Sequence, residues 1–465
     1  MNALHLSTEE FRSLADRVTQ VAADFLEQLH SARSFPVCSG EEVRACFDEP
    51  IPEHGMKANA LDALAKVIAL SRAPSPRFYG YVLGSGEPVA ALADLLASVL
   101  NQNVTAWRSA PAAVTIERQV LRWLASAMHC EGFTGSFCGG GSSANLMALA
   151  MAREAKLPGN EAGARPGVIY ASSEVHMSVP KAVALLGLGR ANLRSIPVDA
   201  QFRMRPEVLR EAVTADLAAG RKPIAVVATA GTVTTGSIDP IADIAAVCRA
   251  HDLWLHVDGA YGALAALTVP ERFDGIAAAD SLSLDAHKWL YQPLDCGILL
   301  FKDATAARTA FSFTGEYART LEADPLEAFA FFEESLELSR RFRALKLWLS
   351  LRYHGLAAFR AAIRADLEHA RQLAETIRRT PELELLAPVA LSAVCFRCRD
   401  GGADLNELNA AILRRVIARG HIYLSNASVD GRFALRACFV NHRTTAADVA
   451  AVVPEVLSAA RDLRS

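Results

Sequence analysis

The sequence predicts an α/β protein: a large unit on a mostly parallel central sheet, preceded by a helical segment and followed by a small α+β unit. Three observations carry this. Between Gly135 and about Leu300 the short apolar runs GVIYAS, PIAVVATAG, LWLHVDGAYG, SLSLDAH and CGILLF alternate with helical stretches, and near-continuous runs of this kind belong to strands covered on both faces. The 465 residues, 51% of them hydrophobic, exceed what one core usually holds, so more than one packed unit is expected. Beyond RRFRALKLWLSLRYHG (Arg340 to Gly355) a helix-rich stretch leads to shorter strands, SAVCFRC and FALRACFV, and a last helix.

In chain order, residues 1–85 read as amphipathic helices punctuated by Pro36, Pro50, Pro52, Pro74 and Pro76. Residues 86–360 form the large unit, opening with the helical patterns ALADLLASVLNQN and TIERQVLRWLASAMH. Residues 361–465 form the small C-terminal unit. No internal repeat or low-complexity tract interrupts this order.

Composition narrows the function. A net charge of -3 without a basic stripe argues against nucleic acid as a partner. The first thirty residues lack the apolar core of a secretory signal, and no run reaches the length of a membrane span. Nine scattered cysteines fit a reducing cytoplasm better than a disulfide framework. Cys395 and Cys398 form a lone CxxC without a second pair, so they are expected to be strand-buried thiols and no metal site is expected.

Chemistry should cluster beyond the carboxyl ends of the parallel strands. PIAVVATAG ends near Thr229, LWLHVDGAYG at Asp258, SLSLDAH at His287 and Lys288, and GVIYASSEVH delivers His176. Asp258 and Lys288 are spaced for one strand-helix-strand unit, which would bring them to one rim. Lys288 is one of only eight lysines among 48 basic residues. A lysine can lose its proton and attack a carbonyl, whereas an arginine cannot. Nearby, GSFCGGGSSANL sets Gly139, Gly140 and Gly141 before Ser142 and Ser143 at a helix start, where free amides and the helix dipole favour a phosphate. A phosphate cradle, a carboxylate, a histidine and an attackable lysine together specify pyridoxal 5'-phosphate, which needs a Schiff-base lysine, an acid at its ring nitrogen and an anion site. Ala260 is small enough to lie under a flat ring.

The chain resembles the group II pyridoxal-phosphate decarboxylases, the family of aromatic-amino-acid, histidine and glutamate decarboxylases, which share fold type I. The resemblance rests on SPRFYGY (Ser75 to Tyr81), SAPAAVTIE (Ser109 to Glu117), GGGSSANLMAL, SSEVHMSVPKA (Ser172 to Ala182), ATAGTVTTGSIDPI, HVDGAYG, DAHKWLYQPLDCG, SRRFRALKLW and LRACFVNHRTT, in family order over most of the chain. It implies that Lys288 carries the Schiff base, that Asp258 partners the pyridinium, and that His176 stacks on the ring. Gly141, Ser142 and His287 would serve the phosphate, with Thr229 beside Asp258. The family's mobile loop, supplied across a dimer interface, carries a tyrosine that protonates the product carbon, and Tyr317 falls at that position. Relatives with phenylalanine there tend toward oxidative aldehyde formation. The resemblance further implies a homodimer, with residues 1–85 as its dimerisation segment, and an amino acid as the small-molecule substrate.

Departures from the family pattern are Cys138, Gly139 and Ser143 where hydroxyls and glutamate are usual, and Ser75 where histidine is common. Asp285 stands near the expected phosphate, so its carboxylate is expected to face elsewhere. Trp289 and Pro293 are expected to wall the pocket. Phe78, Tyr79, Tyr81 and Trp107 suggest an apolar or aromatic substrate side chain, and Ser339 matches a position lining the pocket in relatives. The expected activity is decarboxylation of an L-amino acid to its amine and carbon dioxide. The alternatives are an aldehyde synthase, a decarboxylase of an acidic amino acid and, last, a non-catalytic cofactor-binding protein.

Overall fold

The computed structural model describes residues 4–313, 324–399 and 404–463. Seven strands form the larger sheet: β1 (Thr134–Cys138), β2 (Val168–Ser172), β3 (Leu193–Ile196), β4 (Pro223–Thr229), β5 (Trp254–Asp258), β6 (Ser281–Asp285) and β7 (Gly297–Phe301). Their order is β1-β7-β6-β5-β4-β2-β3. The ladders joining β6, β5, β4, β2 and β3 are parallel, and β7 runs antiparallel to both of its neighbours.

Every residue of β2, β4, β5, β6 and β7 is buried, which explains why these strands read as continuous apolar runs. Alternate side chains go to opposite faces. Val226, Ala228, Leu255, Val257, Leu282 and Leu284 join one core, and Ala225, Val227, Leu299 and Phe301 join the other.

Between Asp258 and Ser281 the chain makes three 3-10 segments, Ala263–Leu267, Pro270–Phe273 and Ile276–Ala278. The α-helical crossover expected there does not form. The small residues of GALAAL turn tightly against the sheet, and the whole of Ala263–Leu267 is buried.

Four strands form the second sheet: β8 (Leu383–Leu385), β9 (Ala393–Cys398), β10 (Ser425–Val429) and β11 (Arg432–Cys438), antiparallel in the order β10-β11-β9-β8. Helices Leu405–Arg419 and Val452–Asp462 bury Ile412, Val416, Val452 and Val456 against Phe396, Leu435 and Ala437. Cys395 and Cys398 are both 1% exposed on β9, as expected of strand-buried thiols.

A long helix, Ala344–Arg379, broken at Gly355, runs from the large sheet to the small one. On it Asp366 accepts hydrogen bonds from the Tyr291 hydroxyl (2.8 Å), the Trp289 indole N–H (3.2 Å) and the backbone N–H of Asn441 (3.4 Å). One carboxyl thus ties together the segment after Lys288, the long helix and the segment that follows β11. A second buried tie joins two of the motifs: the Arg340 guanidinium pairs with Glu117, and both side chains are fully buried.

The first hundred residues are built differently. Helices Thr8–Gln28, Gly40–Phe47 and Leu64–Ala69 bury no residue. Helix Pro88–Leu100 exposes Leu92, Leu95, Leu96, Val99 and Leu100. Among the described residues, no helix is long and apolar enough to cross a membrane.

Burial raises the pKa of Asp366 to about 7, against about 3.9 for an unfolded aspartate. The fold therefore binds more protons than the unfolded chain between about pH 4 and pH 7, and stability falls as pH rises through that window. Asp366→Asn, which keeps an acceptor oxygen but cannot titrate, is expected to flatten this decline in thermal midpoint between pH 5 and pH 8. An equally steep decline in the variant would contradict the assignment.

Candidate active site

The carboxyl ends of β1, β4, β5 and β6 surround a cavity of about 240 Å³, lined by Gly139 to Ser143, Asn145, His176, Thr229, Asp258, Ala260, Asp285, His287 and Lys288, among others. Residues from five separate segments meet there because parallel strands deliver their chain ends to the same rim. Thr229 and Asp258 are register partners across the β4–β5 ladder.

Asp258 is 5% exposed. It accepts hydrogen bonds from the Asn145 amide (2.7 Å), the Ser283 hydroxyl (3.1 Å) and the backbone N–H of Ala260 (3.2 Å). All three donors are neutral, and among the described residues Asp258 enters no ion pair.

Lys288 lies one turn beyond the strand, in the short helix Ala286–Trp289, and not at the strand end. Its Nζ is 2.9 Å from Asp285 Oδ2, and His287 Nε2 is 3.5 Å from the same oxygen. This corrects the expectation that the Asp285 carboxylate faces away. The lysine ammonium three residues on draws it into the cavity, where Oδ1 is buried without a hydrogen-bond partner. His287 Nδ1 accepts the backbone N–H of Cys296 at 3.1 Å. Burial lowers the pKa of His287, with Asp285 opposing.

The glycine loop is set by crowding. Gly140 has φ 136°, in the region that favours glycine. A Cβ on Gly141 would lie 2.6 Å from the Ala260 methyl and 3.2 Å from Asp285 Oδ2. Helix Gly141–Lys156 starts at this point, and its first-turn amides lack partners within the helix. Cys138 points away, into the core beneath the loop.

His176 is half-buried, and its Nδ1 is 2.8 Å from the Ser178 hydroxyl. Burial lowers its pKa, opposed by Asp258 and reinforced by Lys288. Thr229 Oγ1 is buried without a partner.

The remaining expected residues lie elsewhere. Tyr81 is 55% exposed, with its hydroxyl 3.0 Å from that of Tyr423. Trp107 opens a 3-10 turn and is half-buried, and Ser339 is exposed in a bend; among the described residues none of the three lines the cavity. Tyr317 lies outside the described residues. Trp289 does not wall the cavity: it is fully buried, packs on Tyr261 at 5.4 Å and donates to Asp366. Pro293 does not line it either, and its carbonyl accepts from Lys346 Nζ at 3.0 Å.

Sequence reasoning does not single out Asn145, Ser178 and His256, although a signal is present. His256 and Asp258 alternate on one face of β5, and Asn145 follows Gly141 by one helical turn.

The model of the pyridoxal-dependent decarboxylase conserved domain matches residues 40–399. The chain belongs to the pyridoxal-dependent decarboxylase family. Over 470 residues it is 33% identical to an aromatic-L-amino-acid decarboxylase of Bacillus atrophaeus, covering 99% of this chain and 97% of that protein. It is 31% identical to the phenylacetaldehyde synthase of Petunia hybrida, over 93% of this chain and 90% of that one. The crystal structure of Catharanthus roseus tryptophan decarboxylase in complex with L-tryptophan superposes with a TM-score of 0.90 at 29% identity, covering 98% and 99% of the two chains.

The cofactor of this family is pyridoxal 5'-phosphate, and the residues present fit it. The loop amides at Gly141 suit a phosphate, the orphaned Thr229 hydroxyl offers a further polar contact, and Asp258, held by neutral donors, leaves the cationic place for a protonated ring nitrogen. Gly141→Ala, which collides with Ala260, is expected to weaken cofactor binding about tenfold or more in a fluorescence titration of the apoprotein. Unchanged affinity would mean that the loop does not hold the phosphate.

Proposed function

We propose that this decarboxylase converts an aromatic L-amino acid to its amine and carbon dioxide. The observation that carries the reading is the pairing of Asp258, buried and bound only by neutral donors, with the Lys288 amine on the lining of the same cavity.

In this reading Lys288 is the covalent attachment point and Asp258 holds the proton on the ring nitrogen. Gly141, Ser142 and His287 would hold the phosphate, and Thr229, Ala260 and His176, on the lining of the same cavity, would hold the ring. The bound cofactor supplies an electron sink for the pair left when carbon dioxide departs. Because loss of a proton or of a side chain could start from the same bound substrate, the chain's own residues decide which bond is aligned to break. Tyr317 then delivers a proton to the carbon that lost the carboxylate.

The substrate class draws support from the aromatic-amino-acid relatives and from the exposed Tyr81, whereas Phe78 and Tyr79 are buried against Tyr423 and Phe439 and do not line the cavity. Tyr81, Trp107 and Ser339 are proposed to reach the pocket of a partner subunit. A homodimer is supported by the apolar side chains that residues 4–100 leave exposed, among them Phe11, Leu92, Leu95, Leu96 and Val99. A monomer that is fully active in sedimentation would count against it.

The second reading, an aldehyde synthase using dioxygen and releasing ammonia and peroxide, draws support from the Petunia hybrida relative. Incubation with each aromatic amino acid, following carbon dioxide, amine, ammonia and peroxide, separates the two: amine with little peroxide supports the first, and ammonia with peroxide sinks it. Lys288→Ala is expected to abolish turnover. Tyr317→Phe is expected to lower amine formation by about 100-fold, the scale of a lost general acid, and to raise the peroxide share.

A further inference from the structure

Behind the cavity a buried hydrogen-bond chain runs through residues that the proposed chemistry does not use. Asn145 is 1% exposed on the helix that starts at the glycine loop. Its Nδ2 lies 2.7 Å from Asp258 Oδ2 and 2.9 Å from the Ser178 hydroxyl, and its Oδ1 lies 2.9 Å from His256 Nε2. His256 is fully buried, and its Nδ1 is 2.9 Å from the Ser281 hydroxyl, which also lies 2.9 Å from the Trp254 indole nitrogen.

The chemistry of each group allows one direction of donation. The Asp258 carboxylate accepts, so the NH2 end of Asn145 faces it and the carbonyl end faces His256. A carbonyl has no hydrogen, so His256 Nε2 must carry one. The neutral ring then accepts at Nδ1 from the Ser281 hydroxyl, whose oxygen accepts the Trp254 N–H. Burial keeps that ring neutral, with its pKa down at about 4.

The other branch is equally fixed. Asn145 spends its second hydrogen on the Ser178 oxygen, which leaves the Ser178 hydroxyl hydrogen for His176 Nδ1 at 2.8 Å. The backbone N–H of Ser178 points at the same nitrogen, 3.3 Å away. Two donors converge on Nδ1, so it is an acceptor and the ring proton resides on Nε2.

We propose that Asn145 is a positioning residue whose single amide fixes both the Asp258 carboxylate and, through Ser178, the Nε2-protonated tautomer of His176. This deepens the proposed function, since it rests on Asp258 and His176 flanking the cofactor ring. One amide would then hold the group at the ring nitrogen and the group over the ring face in a fixed mutual geometry.

The test is nitrogen-15 NMR of the full-length, cofactor-loaded protein labelled at histidine, with the His176 signals assigned by their loss in His176→Gln. At neutral pH, His176 and His256 are each expected to give one protonated-type Nε2 and one unprotonated-type Nδ1. Asn145→Ala is expected to mix the tautomers of His176, raising the Nδ1-protonated share about fivefold, the factor that one hydrogen bond carries, and to shift His256. Ser178→Ala keeps the Asn145 contacts to Asp258 and His256, so it should change His176 and leave His256 as it was. A merely structural role would alter melting without moving these signals. His176 protonated at Nδ1 in the unaltered protein, or unchanged His176 signals in folded Ser178→Ala, would overturn the proposal. The tautomer is read independently of turnover: a protein that failed to decarboxylate could still show it, and an active decarboxylase could lack it.

Discussion

A buried carboxylate held only by neutral donors is the constraint around which this site is arranged. Asp258 is 5% exposed at the end of β5 and accepts from an amide, a hydroxyl and a backbone N–H. Burying such a group without a cation is costly unless a bound partner completes it. Its neighbours follow from that need. The parallel ladders carry Thr229, Asp258 and the segment holding Lys288 to one rim, and the glycine loop comes close enough to leave its amides free.

The site is also fastened to the rest of the molecule from behind. The segment after Lys288 continues into Trp289 and Tyr291, whose polar atoms end on Asp366 of the long helix, and Asn441, three residues beyond β11, reaches the same carboxyl. Displacement of the segment after β11 is therefore resisted through the residues that follow Lys288. The Glu117–Arg340 pair plays a comparable part in front of the glycine loop, since Phe137 donates its N–H to Glu117 and its carbonyl accepts from Arg340.

Much of this is legible in the sequence because its signals are local. The runs ending at Thr229, Asp258 and Asp285 mark the strands, and three successive glycines before a helix mark the loop. What stays hidden depends on contacts between distant residues. A repulsion argument sends Asp285 away from the cavity, but Lys288, three residues on, holds its Oδ2 at 2.9 Å. The spacing after Asp258 suggests a helical crossover, yet GALAAL packs as tight turns because its small side chains let the chain lie close to the sheet. Trp289 and Pro293 follow the lysine in sequence, but the turn of the short helix carries Trp289 into the core and the Pro293 carbonyl onto Lys346. Asn145 reads as one polar residue on an amphipathic helix, and its importance lies in three partners from other segments.

The amino-terminal helix bears on how such a molecule comes into being. Thr8–Gln28 has an amphipathic pattern, a capping box at Ser7 and Glu10, and no buried residue. It is well formed locally and poorly rewarded by its own chain, whereas most helical stability in proteins comes from packing an amphipathic face. During synthesis it leaves the ribosome before the strands at 134–301 exist. Residues made before the sheet are thus among the last to find cover, and their apolar stripe stays open to chance encounters while the strands are being made.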